Sequence, residues 1–309
     1  MRHFLALLDL TSAEIHNLLD KARALKADLI RGRRPALLPN RVLGLIFEKP
    51  SLRTRVSFEA AMGQLGGSSV FLSSTDGAIG QREPVADFAR VLSQLCDAVV
   101  LRVFRHRTIE EFAEHSSVPV INGLSDYNHP CQALGDLLTI QEAFGSLEGR
   151  TLVFVGDGNN VARSLVVACA RAGMRFILAA PEAYRFDESF LSTCRTAFPG
   201  HLPVQESDPA RAVSEADIVY TDVWTSMGQE AETAKRLRDF KGFEVNESLM
   251  ARAPSHARFM HCLPAHRGEE VSAGVMEGKA SLVFPQAGNR MHAQKALLCW
   301  LLADQIAKS

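Results

Sequence analysis

The sequence predicts an α/β protein of two domains, each with a mostly parallel central sheet flanked by helices. Short apolar runs of four to six residues recur along the chain, helix-like stretches separate them, and 309 residues suffice for two separate cores.

Taken in order, VLGLIF at 42–47 is apolar and bounded by polar residues, which predicts a buried strand. Glu48, Lys49 and Pro50 end it, and Ser51 is placed to cap a helix beginning near Leu52. Phe58, Met62 and Leu65 recur on one side of that helix before Gly66 and Gly67 stop it. The pattern returns as DAVVLRV and VPVI, with Thr108 and Glu111 between them in capping-box spacing. A further helix is predicted from Pro130 to about Phe144, followed by Gly145 and Gly149. The domain boundary is therefore expected near residue 145, giving domains 1–145 and 146–309. The second half alternates in the same way through TLVFVG, VARSLVVACARAG, RFILAA, DIVYTDV and RFMHCLP. From about Gly288 to Ile306 an amphipathic helix is expected, with Leu297, Leu301 and Ala303 near one side and Lys295 and Asp304 elsewhere. This last helix is a candidate to pack back on the first domain.

Composition narrows the function. With 34 basic and 35 acidic side chains there is no global field for a polyanion, which argues against nucleic acid and acidic membranes. The start, MRHFLALLDLTSAEIHN, lacks a long apolar core and a small-residue cleavage signal. No apolar stretch approaches the roughly 20 residues a bilayer crossing needs, so a soluble intracellular protein is expected. The six cysteines include no close CxxC pair, so neither a redox pair nor a zinc ribbon is indicated.

Chemistry is expected at several strand ends. Ser51, Leu52, Arg53, Thr54 and Arg55 stand where a strand enters a helix, and a helix N-terminus with hydroxyls and cations suits a phosphate. Arg53 and Arg55 are two apart and need not face the same way, so one can bind ligand while the other braces a carboxylate. Arg102 ends another strand, where an open α/β sheet places its ligands. His129 and Gln132 lie within one helical turn, suited to a carbonyl oxygen and its amide partner. In the second half, the Gly156 turn has Ala162 and Arg163 where a dinucleotide loop would place glycines, which argues against a nicotinamide cofactor. Asn160 suits a small polar ligand and equally a turn. Asp222 suits an ammonium group, with Ser226 or the Met227 backbone for a carboxylate. Cys262 reads as a nucleophile or as a buried thiol.

Together FEKPSLRTR at 47–55, HPCQ at 129–132, DVWTSMG at 222–228, HCLP at 261–264 and the pair Asn289 and Arg290 resemble the carbamoyltransferase family, over essentially the whole chain. The resemblance is to its ornithine-using branch. It implies carbamoyl phosphate bound by Ser51, Leu52, Arg53 and Thr54 with Arg102, His129 and Gln132, and Arg55 supporting the phosphate site. It implies ornithine held by Asn160, Asp222, Ser226 and Met227, with Cys262, Leu263 and Arg290 completing the site. Arg102, His129 and Cys262 are the implied catalytic groups, and Cys262 is expected to orient or desolvate the amine without becoming covalently linked. The resemblance further implies no metal or redox cofactor, a cytoplasmic homotrimer or an assembly of trimers, and a place in arginine biosynthesis. Two departures stand out. Leu52 occupies a threonine position of the family pattern and removes a hydroxyl, and Ala78 falls near a position that often carries glutamine, with Gln81 and Arg82 close by. The alternatives are a carbamoyltransferase acting on aspartate or an N-acylated ornithine, and a non-catalytic phosphate- or amino-acid-binding protein.

Overall fold

The computed structural model describes residues 1–76, 79–225 and 230–306. The chain divides into two compact units, Met1–Leu138 with Gly288–Ser309, and Thr139–Ala287. The first unit is built from α1 (Ser12–Ile30), β1 (Val42–Phe47), α2 (Leu52–Gln64), β2 (Ser68–Ser73), α3 (Val85–Leu95), β3 (Ala98–Arg102), α4 (His106–His115), β4 (Val120–Leu124) and the start of α5 (Pro130–Phe144). The second contains β5 (Thr151–Val155), α6 (Asn160–Arg171), β6 (Arg175–Ala179), α7 (Glu188–Ala197), β7 (Val204–Glu206), α8 (Pro209–Val213), β8 (Ile218–Thr221), α9 (Thr233–Asp239), α10 (Glu247–Met250), β9 (Arg258–His261) and α11 (Ala273–Met276). Helix α12 (Val283–Ile306) carries the chain back to the first unit.

Each unit has one sheet, ordered β2-β1-β3-β4 and β7-β6-β5-β8-β9, and every strand pair named here is parallel. Strands β1, β3, β5 and β8 are the apolar runs seen in the sequence. They are buried almost throughout, as central strands covered on both faces must be. Ile46, Val99 and Leu101 pack with Phe88 and Phe112 in the first unit, and Val153, Val155, Val219 and Phe259 pack with Trp224 and Phe240 in the second.

The two sheets share a local device. In the first, the Asp97 carboxylate accepts from Val42 N–H at 2.7 Å and from Arg41 at 2.5 Å, tying the start of β1 to the start of β3. In the second, Asp217 accepts from Thr151 N–H and from Arg150, each at 2.9 Å, tying β5 to β8. In both cases the aspartate satisfies a strand-initiating donor and neutralises the arginine before it. The strand order reverses between β1 and β3 and again between β5 and β8. In open parallel sheets, ligands bind at the carboxyl ends of such strands. Ser51, Arg102, Asn159 and Asp222 all follow or end these four strands.

Three sequence expectations change. Helix α4 begins at His106, so Thr108 lies inside it rather than at its cap; the His106 N–H is taken by Asp126 Oδ1 at 2.8 Å instead. Helix α12 begins at Val283, five residues before the expected start, because Pro285 falls in its first turn, where the missing N–H costs nothing. Lys295 is fully buried and donates to Gln64 Oε1 at 3.2 Å, so it does not belong to a solvent face. Strands β2 and β7 carry no clear apolar run because they are partly exposed.

Helix α2 ends as its glycines predict. Gly67 N–H bonds Met62 O at 3.0 Å and Gly66 N–H bonds Gly63 O at 3.2 Å, the paired bonds of a left-handed helix stop. Gly66 has φ +89°, and a Cβ there would lie 2.8 Å from Ala36 Cβ. The Gly66→Ala variant should lose about 1–3 kcal/mol of stability from strain and overlap together. Urea unfolding with an unchanged midpoint would contradict this.

Candidate active site

In the first unit the site grows from the cap of α2. Ser51 Oγ accepts from Thr54 N–H at 3.2 Å and donates to Thr54 Oγ1 at 3.1 Å. Thr54 is fully buried, and its Oγ1 also accepts from Arg290 Nη2 of α12 at 2.7 Å. An oxygen that accepts twice directs its own proton elsewhere, so Thr54 is set to donate to an anion at the helix N-terminus. Leu52 is 75% exposed, so its side chain leaves this turn while its backbone stays in it. The lost hydroxyl of the departure noted above therefore faces outward.

Arg102 ends β3 and is buried, as is Arg290. His129, just before α5, is also buried, and burial together with the charges of Arg290, Arg102 and Arg53 holds it well below its ordinary value of 6.5. It is thus a neutral imidazole at neutral pH. Gln132 is buried one turn further on and donates to Asp136 Oδ1 at 2.9 Å. Cys131, between them, is driven by burial to about 12 and donates to Asn122 O, which makes it an inert structural thiol. Arg55 goes another way, since it pairs with Glu59 at 3.0 Å and stacks 3.7 Å over the Phe71 ring. It lies on the exposed side of α2, apart from the Thr54 hydrogen-bond set.

In the second unit Asp222 follows β8 and is buried. Its carboxylate accepts from Cys262 Sγ at 2.9 Å, Val223 N–H at 2.8 Å and Asn159 Nδ2 at 3.1 Å. Cys262 is the donor in its bond and lies beside a carboxylate rather than a base or a cation, an arrangement unlike that of an activated nucleophile. Asn160 is the first residue of α6, and its carbonyl accepts from Ser164 Oγ. Leu263 adopts φ +60° and donates its N–H to His261 Nδ1 at 2.8 Å. Ser226, Met227 and Ala78 lie outside the described residues.

Asp222, His261 and Cys262 place ligand-type atoms within 4.8 Å of one another, as do His266, Glu269 and Glu270. In the first set His261 Nδ1 serves Leu263, its Nε2 faces Glu270 at 3.2 Å, and Asp222 already takes three donors. A cation there would have to displace those bonds.

Comparison with known proteins sets this geometry in a family. Residues 2–142 match the family described as aspartate/ornithine carbamoyltransferase, carbamoyl-P binding domain, and residues 148–301 match its Asp/Orn binding domain. The chain belongs to the aspartate/ornithine carbamoyltransferase family. Among curated carbamoyltransferases it is similar to the ornithine carbamoyltransferase of Oceanobacillus iheyensis, 50% identical over 305 residues, covering 98% of this chain and 95% of the relative. It is also similar to that of Halorhodospira halophila, 52% identical over 303 residues, covering 98% and 99%. The solved ornithine carbamoyltransferase of Pyrococcus furiosus superposes with a TM-score of 0.94 at 46% identity, covering 97% of each chain. That likeness extends to the α/β fold, with its two parallel sheets flanked by helices.

Within this carbamoyltransferase framework, two residues escaped sequence reasoning. Asn159, rather than its neighbour, caps α6 through Val161 and Ala162 N–H, both at 3.0 Å, and reaches Asp222. Its capping position was the available signal. Arg236 is buried and donates to Asp157 Oδ2 at 2.5 Å, to the Trp224 carbonyl at 2.9 Å and to Glu232 at 2.9 Å. It therefore ties together the flanks of the segment in which Ser226 and Met227 stand. Burial raises the Asp157 carboxyl above the ordinary range despite this arginine.

The depressed His129 makes stability depend on pH. Unfolding exposes an imidazole that gains a proton below about 6.5, so the folded state loses stability as pH falls through that value and keeps it above. Between pH 6.5 and 5, wild-type stability should fall more steeply than that of His129→Gln, by up to about 1.4 kcal/mol per pH unit. Parallel profiles in urea unfolding would refute a neutral buried His129.

Proposed function

We propose that the chain transfers the carbamoyl group of carbamoyl phosphate to the side-chain amine of L-ornithine, releasing L-citrulline and phosphate. The observation that carries this reading is Asp222, a buried carboxylate held by Asn159 and Cys262. A carboxylate so placed suits the α-ammonium group of an amino acid and disfavours a second acid such as that of aspartate. The near-full-length relatives named as ornithine carbamoyltransferases support the same choice.

Ser51, Arg53, Thr54 and the backbone of Leu52 bind the phosphate, and Arg55 braces the site from the outer side of α2. The neutral ornithine amine attacks the carbonyl carbon, a C–N bond forms, the C–O bond to phosphate breaks and the nitrogen loses a proton. Negative charge builds on the carbonyl oxygen and then on the departing phosphate. Arg102 and neutral His129 donate to the former, and Arg53, Thr54 and Arg290 favour the latter. Cys262 and Leu263 orient the amine, while Asn160, Ser226 and Met227 complete the ornithine contacts. Orientation and exclusion of water favour aminolysis over hydrolysis.

The proposal extends to a cytoplasmic homotrimer serving arginine biosynthesis. Leu52 at 75% and Val56 at 52% exposure, one turn apart on α2, are apolar side chains suited to cover by another copy. No helix among the described residues is long and apolar enough to cross a membrane.

Citrulline and phosphate release should require ornithine, with aspartate, N-acetylornithine and N-succinylornithine supporting less than about a hundredth of the rate. Equal turnover of ornithine and aspartate would defeat the substrate assignment. Arg53→Ala should raise KM for carbamoyl phosphate at least tenfold, and Asp222→Ala should do so for ornithine, each through the loss of roughly 1.5–3 kcal/mol of charged hydrogen bonding. Unaltered kinetics in both variants would reject this division of roles. Light scattering should return three times the chain mass of 33.8 kDa; a monomer would remove the trimer.

A further inference from the structure

An amide side chain is ambivalent. One end donates, the other accepts, and the two differ little in shape, so packing alone does not decide which end faces a ligand. At Gln132 something does decide. Asp136 lies one turn along α5, is fully buried, and accepts from Gln132 Nε2 at 2.9 Å. In that bond the carboxyl oxygen is the acceptor, so it claims the –NH2 end. The other end, Gln132 Oε1, is buried with no hydrogen-bond partner among the described residues. A buried acceptor left unsatisfied is costly, which suits a site that waits for a donor.

The place of that oxygen is also informative. On the same face of α5, a Cβ on Gly135 would lie 3.2 Å from Arg290 Cα and Cγ, so this face abuts the arginine that bonds Thr54. His129, three residues before Gln132, feels the charges of Arg290, Arg102 and Arg53.

We infer that Asp136 is a specificity-determining residue, which acts by positioning Gln132 so that its Oε1 receives the N–H of a carbamoyl group and rejects an acyl group carrying methyl there. The inference rests on the carbamoyl-transfer reading above. Acetyl phosphate has nearly the shape of carbamoyl phosphate but brings a methyl where a donor is needed, leaving Oε1 buried and unpaired. Sites built to bond a polar group discriminate strongly against the analogue that lacks it.

The test measures binding by the full chain to two stable isosteres, phosphonoacetamide and 2-oxopropylphosphonate, by titration calorimetry. Wild type should prefer the amide at least tenfold. Asp136→Ala and Asp136→Leu should reduce that preference by about tenfold, while Asp136→Ala in a Gln132→Leu background should leave the preference of that background unchanged. Equal weakening of both probes, or a loss of preference that persists without Gln132, overturns the assignment. A wild-type crystal structure with phosphonoacetamide reads the same point without a destabilised variant. It should show Gln132 joined to the probe –NH2 and to Asp136, and a Gln132 bonded to the probe carbonyl or turned from Asp136 refutes it. Because binding is measured, absent citrulline formation would sink the carbamoyl-transfer reading separately.

Discussion

The first unit is organised around a concentration of buried positive charge. Arg102 and Arg290 are both buried, and with Arg53 they act on a single buried imidazole. Cations withdrawn from water and crowded together are unfavourable unless an anion completes them. The helix N-terminus of α2 adds its own positive end, and two donors on the buried Thr54 oxygen turn its proton away from both of them. Near-neutrality of the whole chain conceals this, because a balance of 34 and 35 charges carries no information about where they are buried. Burial, reinforced by the cluster, keeps His129 neutral, and a neutral imidazole can donate to a developing oxyanion without adding a fourth fixed charge.

The second unit solves the opposite problem. Its central group is a buried carboxylate, and three donors hold it before any substrate arrives. Arg236 stands behind, bonded to Asp157 rather than to Asp222. Uncharged donors, Asn159, Cys262 and the Val223 N–H, thus serve Asp222, while the arginine pairs with Asp157. The His261 ring meanwhile holds Leu263 in a left-handed conformation that a leucine adopts only when its surroundings enforce it. The two units thus present complementary chemistry built on the same parallel-strand framework, down to the matching clamps at Asp97 and Asp217.

Much of the fold was legible in the sequence because central parallel strands must be apolar on both faces, and VLGLIF, DAVVLRV, TLVFVG and DIVYTDV satisfy that requirement within a few residues. Helix α2 was legible from both ends, through Ser51 and through the glycine pair. Edge strands β2 and β7 were not, since a half-exposed strand has no need of a continuous apolar run. The start of α4 was misplaced because a cap supplied from a distant loop, Asp126, leaves no signature beside the helix. The burial of Lys295 was not legible for a similar reason. A helical pattern gives the side of a helix, but which sides are covered depends on what packs there.

The sequence by itself determined the α/β class, the boundaries of the central elements and the residue types gathered at strand ends, because these follow from local periodicity and capping. Tertiary structure alone decided the state and partners of those residues. It set His129 neutral, turned Arg55 toward Glu59 and Phe71, left Leu52 pointing outward, and joined Asp222 to Cys262 across 40 residues of chain. Charge state and hydrogen-bond direction depend on groups distant in sequence and on the loss of water, and neither is encoded in the spacing of any single motif.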